Sequence, residues 1–178
     1  IGHSMGGLIA RLLTEDSGDA FWNMAWSAPI SQLDLKPDER QTLQEAFFFK
    51  RLPFIDRVVF LGTPHHGSPS ATNTLGWIGS QLIELPNPLR LFVRSVGTKN
   101  KKYARMNFDE DLMISVRQLR TDSPVLTTLN NLPRIKEVHY HNIIGDIYGG
   151  EEAGDGYVPI ESARVAWAES EVIVPAGH

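Results

Sequence analysis

The chain has 178 residues, 42% of them hydrophobic, 21% charged and 9% aromatic, with a formal net charge of −4. That length supports one domain with a real core, and the acidic balance argues against a general nucleic-acid-binding role. There is no cysteine, which excludes disulfides, thiolate metal sites and a cysteine nucleophile, and no apolar run approaches the roughly 18 residues of a membrane span.

In chain order, residues 6–14 read as a helix with Leu8, Ile9 and Leu12 on one face, stopped by Asp16-Ser17-Gly18-Asp19. Residues 20–35 carry Phe21, Trp22, Met24 and Trp26 and then a turn at Pro29. Lys36-Pro37-Asp38-Glu39 starts a second helix reaching about Phe49, with proline and acids suited to its first turn. Residues 57–61, Arg-Val-Val-Phe-Leu, predict a short strand buried on both faces. It ends at Gly62-Thr63-Pro64-His65-His66-Gly67-Ser68. A helix is expected over 75–84, closed by Pro86 and Pro88, and residues 87–121 read as less regular. From Pro86 to Asn107 there are six Lys or Arg and no acid. Ser123 and Pro124 open a short helix to about Asn130, residues 138–144 form the next strand, and a glycine- and acid-rich loop runs over 145–156. Residues 171–175 form the last strand. Strands alternating with helices predict an α/β fold, a mostly parallel sheet with helical crossovers.

The chain begins Ile1-Gly2-His3-Ser4-Met5-Gly6-Gly7. A G-x-S-x-G turn between strand and helix holds its serine in a strained conformation, so that the hydroxyl projects above the sheet. Crowding in such a turn demands small residues on either side, here Gly2 and Gly6, while Gly7 lets the helix pack closely. The helix N-terminus faces developing negative charge, which makes the Met5 N–H a candidate oxyanion donor. The plainer alternative is a glycine-rich helix start without chemistry.

An activated serine needs a base, and the base an orienting acid. On this turn the chain order is serine, acid, histidine. Asp155, in Asp155-Gly156-Tyr157-Val158-Pro159, and His178, in Gly177-His178, satisfy that order, and both follow predicted strands at their carboxyl ends. Asp146 competes with Asp155. For the base, His65, His66, His139 and His141 compete with His178. His139 and His141 share a strand face and read as packed or hydrogen-bonded residues; His65 and His66 read as structural turn residues. His3 and His65 are the candidates for substrate contact. No spacing supports a histidine metal site, and the acids Glu151, Glu152 and Asp155 lack calcium-loop spacing, so no metal is assigned.

Gly2-His3-Ser4-Met5-Gly6-Gly7, Leu61-Gly62-Thr63-Pro64-His65-His66-Gly67-Ser68, Asp155-Gly156-Tyr157-Val158-Pro159 and Pro175-Ala176-Gly177-His178 together resemble the α/β-hydrolase superfamily, in its lipase and esterase branch. The resemblance implies the C-terminal part of that fold, running from nucleophile to base. It places the triad acid at the D-x-x-V-P segment, which favours Asp155 over Asp146. It implies Ser4 as nucleophile, His178 as base, the Met5 N–H in the oxyanion hole, no cofactor, and a small-molecule or lipid ester as substrate. The family's first strands, and the loop giving the second oxyanion N–H, would precede the elbow. The chain therefore reads as a fragment, expected to fold poorly alone because a half-sheet exposes the flank of a buried strand. Residues 16–50 and 69–121 read as cap- or lid-like insertions, their aromatics either greeting an acyl chain or forming a further helical core. The cations of 90–105 read as a solvated face, with contact to anionic lipid headgroups as the alternative. The expected reaction is carboxylic ester hydrolysis. Acyltransferase, thioesterase or amidase chemistry, or a non-catalytic binding module, are the alternatives on the same scaffold.

Overall fold

The computed structural model describes residues 1–68, 87–106, 108, 119–150 and 153–178. Four strands form one all-parallel sheet in the order β1-β2-β3-β4: β1 Gly2–His3, β2 Arg57–Leu61, β3 His139–Gly145 and β4 Ser170–Val174. The expected strands at 57–61, 138–144 and 171–175 are present, the last two displaced by one residue. Helices α1 Met5–Leu12, α2 Ala20–Ala25, α3 Pro37–Phe47, α4 Asn87–Lys99, α5 Pro124–Asn130 and α6 Ile160–Ala163 lie between and beside them. The protein is thus α/β, as its alternating pattern predicts.

Local chemistry explains the helix starts. Pro37 opens α3, and the Lys36 backbone N–H donates to Glu39 at 2.8 Å, which closes the first turn. Ser123 caps α5 by accepting from the Leu126 N–H at 3.3 Å, with Pro124 following. Helix α4 departs from the irregular run expected over 87–121. Pro88 stands in its first turn, where its missing N–H breaks no intrahelical bond, so the residue expected to close one helix opens another. The expected helix at 75–84 lies outside the described residues, as does most of 69–121.

The sheet is packed differently on its two faces. Val58, Phe60, Tyr140 and Ile144 point into the core, and Ala10 of α1 packs on the cluster of Val58, Phe60, Val138 and Tyr140. Their alternates Val59, Leu61 and Ile143 are only half-buried, and Val172 is exposed. The expectation that 57–61 is buried on both faces is therefore corrected. Strands added one after another in sequence order, with right-handed crossovers, carry all their connections over the same face.

The aromatics of 16–50 meet those beyond α4 in a second core. Trp22 stacks near Trp26, Trp26 stacks on Phe108 with centroids 4.5 Å apart, and Leu33, Leu43 and Val96 complete the cluster. Trp22 and Trp26 are buried side chains of a helical layer. Among the described residues no helix is long and apolar enough to cross a membrane.

Candidate active site

Because every strand runs the same way, the segments leaving them gather at one edge. His3, Leu61, Ile143 and Val172 pair in one row across the sheet. Just past that row come Ser4, Gly62, the loop to Asp155, and the tail to His178. This carboxyl edge is where ligand sites of open α/β sheets form.

Ser4 sits between β1 and α1 with φ 53° and ψ −131°, and among the described residues it is the only non-glycine with positive φ. Its N–H donates to the Leu61 carbonyl at 2.9 Å, which ties the turn to β2. Such a conformation costs about 1–3 kcal/mol and persists only where surroundings enforce it. The enforcing contacts are visible. A Cβ on Gly2 would lie 2.5 Å from Gly7 Cα, and one on Gly7 would lie 1.9 Å from Thr63 Oγ1. At Gly6 a Cβ would meet nothing within 4 Å among the described residues, so the crowding expected there falls on Gly2 and Gly7 instead. Met5 begins α1, where a first-turn N–H has no intrahelical acceptor.

The structure brings Ser4, His178 and Asp155 into one hydrogen-bonded line. His178 Nε2 lies 2.8 Å from Ser4 Oγ, and His178 Nδ1 lies 2.7 Å from Asp155 Oδ2. A carboxylate only accepts, so Nδ1 carries the proton; Nε2 of the neutral ring then accepts from the serine hydroxyl. The other carboxylate oxygen accepts from the Tyr157 N–H at 2.9 Å and the Val158 N–H at 2.7 Å. The His178 N–H donates to the Asp155 carbonyl at 3.1 Å, so acid and base are also joined through the backbone. Burial pushes the Asp155 carboxyl up, but the His178 hydrogen bond and the two backbone N–H donors outweigh it and hold the carboxyl below its ordinary value. The His178 and Asp155 side chains are withdrawn from water, at 1% and 2% exposure.

Two glycines hold this geometry, and the sequence pattern did not single them out. Gly62 has φ +50°, and a Cβ there would lie 2.8 Å from Asp155 Oδ2 and 3.3 Å from His178 Nδ1. A Cβ on Gly145 would lie 2.5 Å from the Ala176 carbonyl and 2.7 Å from Asp155 Cβ. Their signal is position: Gly145 ends β3 and Gly62 directly follows β2 at the carboxyl edge. A cavity of about 220 Å³ opens beside them, bordered by His3, Leu61, Ile143, Val174 and His178 among others.

The competing residues have other tasks. Asp146 Oδ1 accepts from the N–H groups of Tyr148, Gly149 and Gly154 at 2.8–3.2 Å and so organises its own loop. His139 pairs with Glu169 at 2.6 Å, and His141 Nδ1 lies 2.8 Å from Ser170 Oγ, far down the strands. His66 Nδ1 is 3.3 Å from Asn130 Nδ2. His65 is fully buried, with edge-on contacts to Phe60 and Trp167. Burial pushes its pKa well below the ordinary value, with Arg11 adding to the effect. His3 is exposed, its ring 4.7 Å from that of His178.

No family model matches the chain, and no curated protein matches it. Among solved structures it is similar to a lipase of Bacillus licheniformis, BlEst2. Against the propeptide form the identity is 21% and the TM-score 0.42, over 70% of this chain and 26% of that one. Against the mature form the identity is 18% and the TM-score 0.41, over 98% of this chain and 54% of that one. The chain thus spans about a quarter and about half of the lengths of these structures. The fold and the site define the chain as an α/β protein with serine, histidine and aspartate aligned at the carboxyl edge of a parallel sheet.

Proposed function

We infer that the chain carries the catalytic groups of a serine hydrolase acting on carboxylic esters. One observation carries the reading: Ser4 Oγ, the His178 ring and the Asp155 carboxylate lie in line with 2.8 Å and 2.7 Å contacts. Ser4 Oγ attacks the acyl carbonyl carbon while His178 Nε2 takes its proton. The electron pair displaced onto the carbonyl oxygen faces the N-terminus of α1, where the Met5 N–H is the donor within this chain. Collapse of the tetrahedral intermediate expels the alcohol, which takes the proton from His178. Water, deprotonated by the same nitrogen, then releases the carboxylic acid from Ser4. Asp155 keeps Nδ1 protonated and stabilises the imidazolium. The lowered pKa of Asp155 supports this role, because the acid must stay ionised while its histidine is charged. The residues Ser4, His178 and Asp155 need no cofactor for these steps.

The test is labelling with a fluorophosphonate, which needs an activated serine and no knowledge of the ester, together with hydrolysis of activated esters of graded acyl length. Modification at Ser4 that is lost in His178→Ala is the expected result. A folded protein that stays unlabelled and hydrolyses no ester would overturn the reading.

A further inference from the structure

Far along the chain from the Ser4 site, α4 and the segment after it enclose a cavity of about 550 Å³ lined by Arg94, Gly97, Thr98, Lys101, Arg105 and Phe108 among others. Arg94, Thr98 and Lys101 follow one another at helical spacing, so the end of α4 and the short 3-10 turn Lys101–Tyr103 present them to the same side. Arg105 comes from the returning segment, which is anchored rather than loose. Ala104 bridges to Trp26, and the Arg105 N–H donates to the Ala25 carbonyl at 2.9 Å. The floor is closely packed: Phe108 is 7% exposed, stacks on Trp26, and lies so near α4 that a Cβ on Gly97 would be 3.0 Å from it.

The cations of this region are not alike. Lys99 is bound to both carboxylate oxygens of Glu39 at 2.9 Å, and Lys102 lies over the Tyr103 ring at 4.6 Å. The side chains of Lys101 and Arg105 have no ion-pair partner among the described residues, and both border the cavity. Like charges held around one concavity repel each other, and an anion between them turns that repulsion into attraction. A guanidinium fork and an ammonium beside a hydroxyl match the several oxygens of a phosphate. The volume lies within the roughly 300–1,000 Å³ usual for ligand sites and exceeds a bare ion. Met106 and Phe108 offer apolar surface to whatever the phosphate carries.

We propose that this cleft binds a phosphate ester, with Lys101 and Arg105 as the principal contacts. The site stands independently of the esterase reading. Its test has two arms that separate the sources of such a group: calorimetric titration with inorganic phosphate and phenyl phosphate, and flotation with phosphatidylcholine vesicles containing phosphatidic acid. Binding in either arm that weakens at least tenfold in Lys101→Ala and in Arg105→Ala, and falls only partly in Arg105→Lys, is the expected result, and the arm that responds names the source. Lys136→Ala, an exposed cation elsewhere, should leave binding unchanged. Asp109, Glu110 and Asp111 follow in the sequence, outside the described residues; D109N/E110Q/D111N together should leave binding unchanged or tighten it. Absence of binding in both arms, binding indifferent to Lys101 and Arg105, equal loss in Lys136→Ala, or binding that appears only after those acids are neutralised would each overturn the proposal. Fluorophosphonate labelling at Ser4 in the same samples keeps this result separate from the fate of the esterase reading, and should persist in Lys101→Ala and Arg105→Ala.

Discussion

Asp155 is 3% exposed and Glu15 fully buried, yet their carboxyls are shifted to opposite sides of their ordinary values. Burial raises both. At Asp155 the imidazole and two backbone N–H groups point directly at the oxygens and reverse the effect. At Glu15 burial prevails although Arg134 and Arg11 both oppose it. Those arginines are themselves shared. Arg11 donates to Asn130 Oδ1 at 2.6 Å and to the Leu129 carbonyl at 2.7 Å, and both guanidiniums lie over the Trp167 ring, at 4.9 and 4.2 Å. Burial lowers Arg11 to about 9, with the neighbouring Arg134 adding to it. Arg134 hydrogen-bonds Glu15 Oε1, and Glu15 Oε2 has no partner among the described residues. The two carboxyls differ in what meets their oxygens: both oxygens of Asp155 have donors, whereas Glu15 Oε2 has none among the described residues. The two centres share a helix: α1 starts just after Ser4 and carries Arg11 in its last turn, with Glu15 just beyond. One end presents the hydroxyl, and the other is tied into the protein.

The largest effect expected from this contrast is on turnover. Asp155→Asn should lower ester hydrolysis by about 10⁴-fold, because an amide no longer enforces the Nδ1–H tautomer, while the protein stays folded. A fall below tenfold in steady-state assays would break the functional side of the comparison. Next comes stability. Glu15→Ala leaves the buried Arg11 and the half-buried Arg134 without their carboxylate and should cost about 3–5 kcal/mol in denaturant unfolding. Turnover per folded molecule should change little, and a loss under about 1 kcal/mol would mean the cluster is solvated or compensated.

Gly62→Ala tests how tightly the acid and base are held. Its Cβ would press on Asp155 Oδ2 at a positive φ, and the displacement should lower kcat by about 10²-fold. Wild-type turnover in this variant would mean that the loop yields freely.

The smallest effects are those of pH on stability. Asp155 has a lowered folded pKa, so its contribution is fully present above the ordinary aspartate value and is lost as pH falls through the lowered one. Glu15 has a raised folded pKa, so its contribution is present below the ordinary glutamate value and is lost as pH rises through the raised one. Unfolding curves taken across the acid to neutral range should show slopes of opposite sign, removed by Asp155→Asn and by Glu15→Gln respectively. Slopes of the same sign would contradict the opposed shifts.

Much of this was legible in the residues because it is local. Apolar runs gave the strands at 57–61 and near 138–144, and Ser123-Pro124 marked the start of α5. The glycines of the G-x-S-x-G turn and the serine-acid-histidine order pointed to Ser4 and His178 and left Asp146 beside Asp155, which the resemblance of the D-x-x-V-P segment favoured; Ser4, His178 and Asp155 stand in line. Helix α4 was hidden because prolines read as breakers unless the first turn is already located. The turn after β2 left His65 open to a structural role or to substrate contact, and its burial against Phe60 and Trp167 is visible only in the tertiary packing.

By itself the sequence determined what short-range sterics and hydrogen bonding determine: periodicity, helix starts, and a strained serine between glycines. Which acid meets His178 was decided by tertiary structure. Asp146 and Asp155 belong to one loop, and both accept from backbone N–H groups. Only Asp155 keeps an oxygen turned to His178, because Gly62 and Gly145 let β2 and β3 end close against it. The upward shift at Glu15 was likewise settled only when the folded chain buried it, against the opposing Arg134 brought from 119 residues away, since desolvation depends on what surrounds a charge and not on its neighbours in sequence.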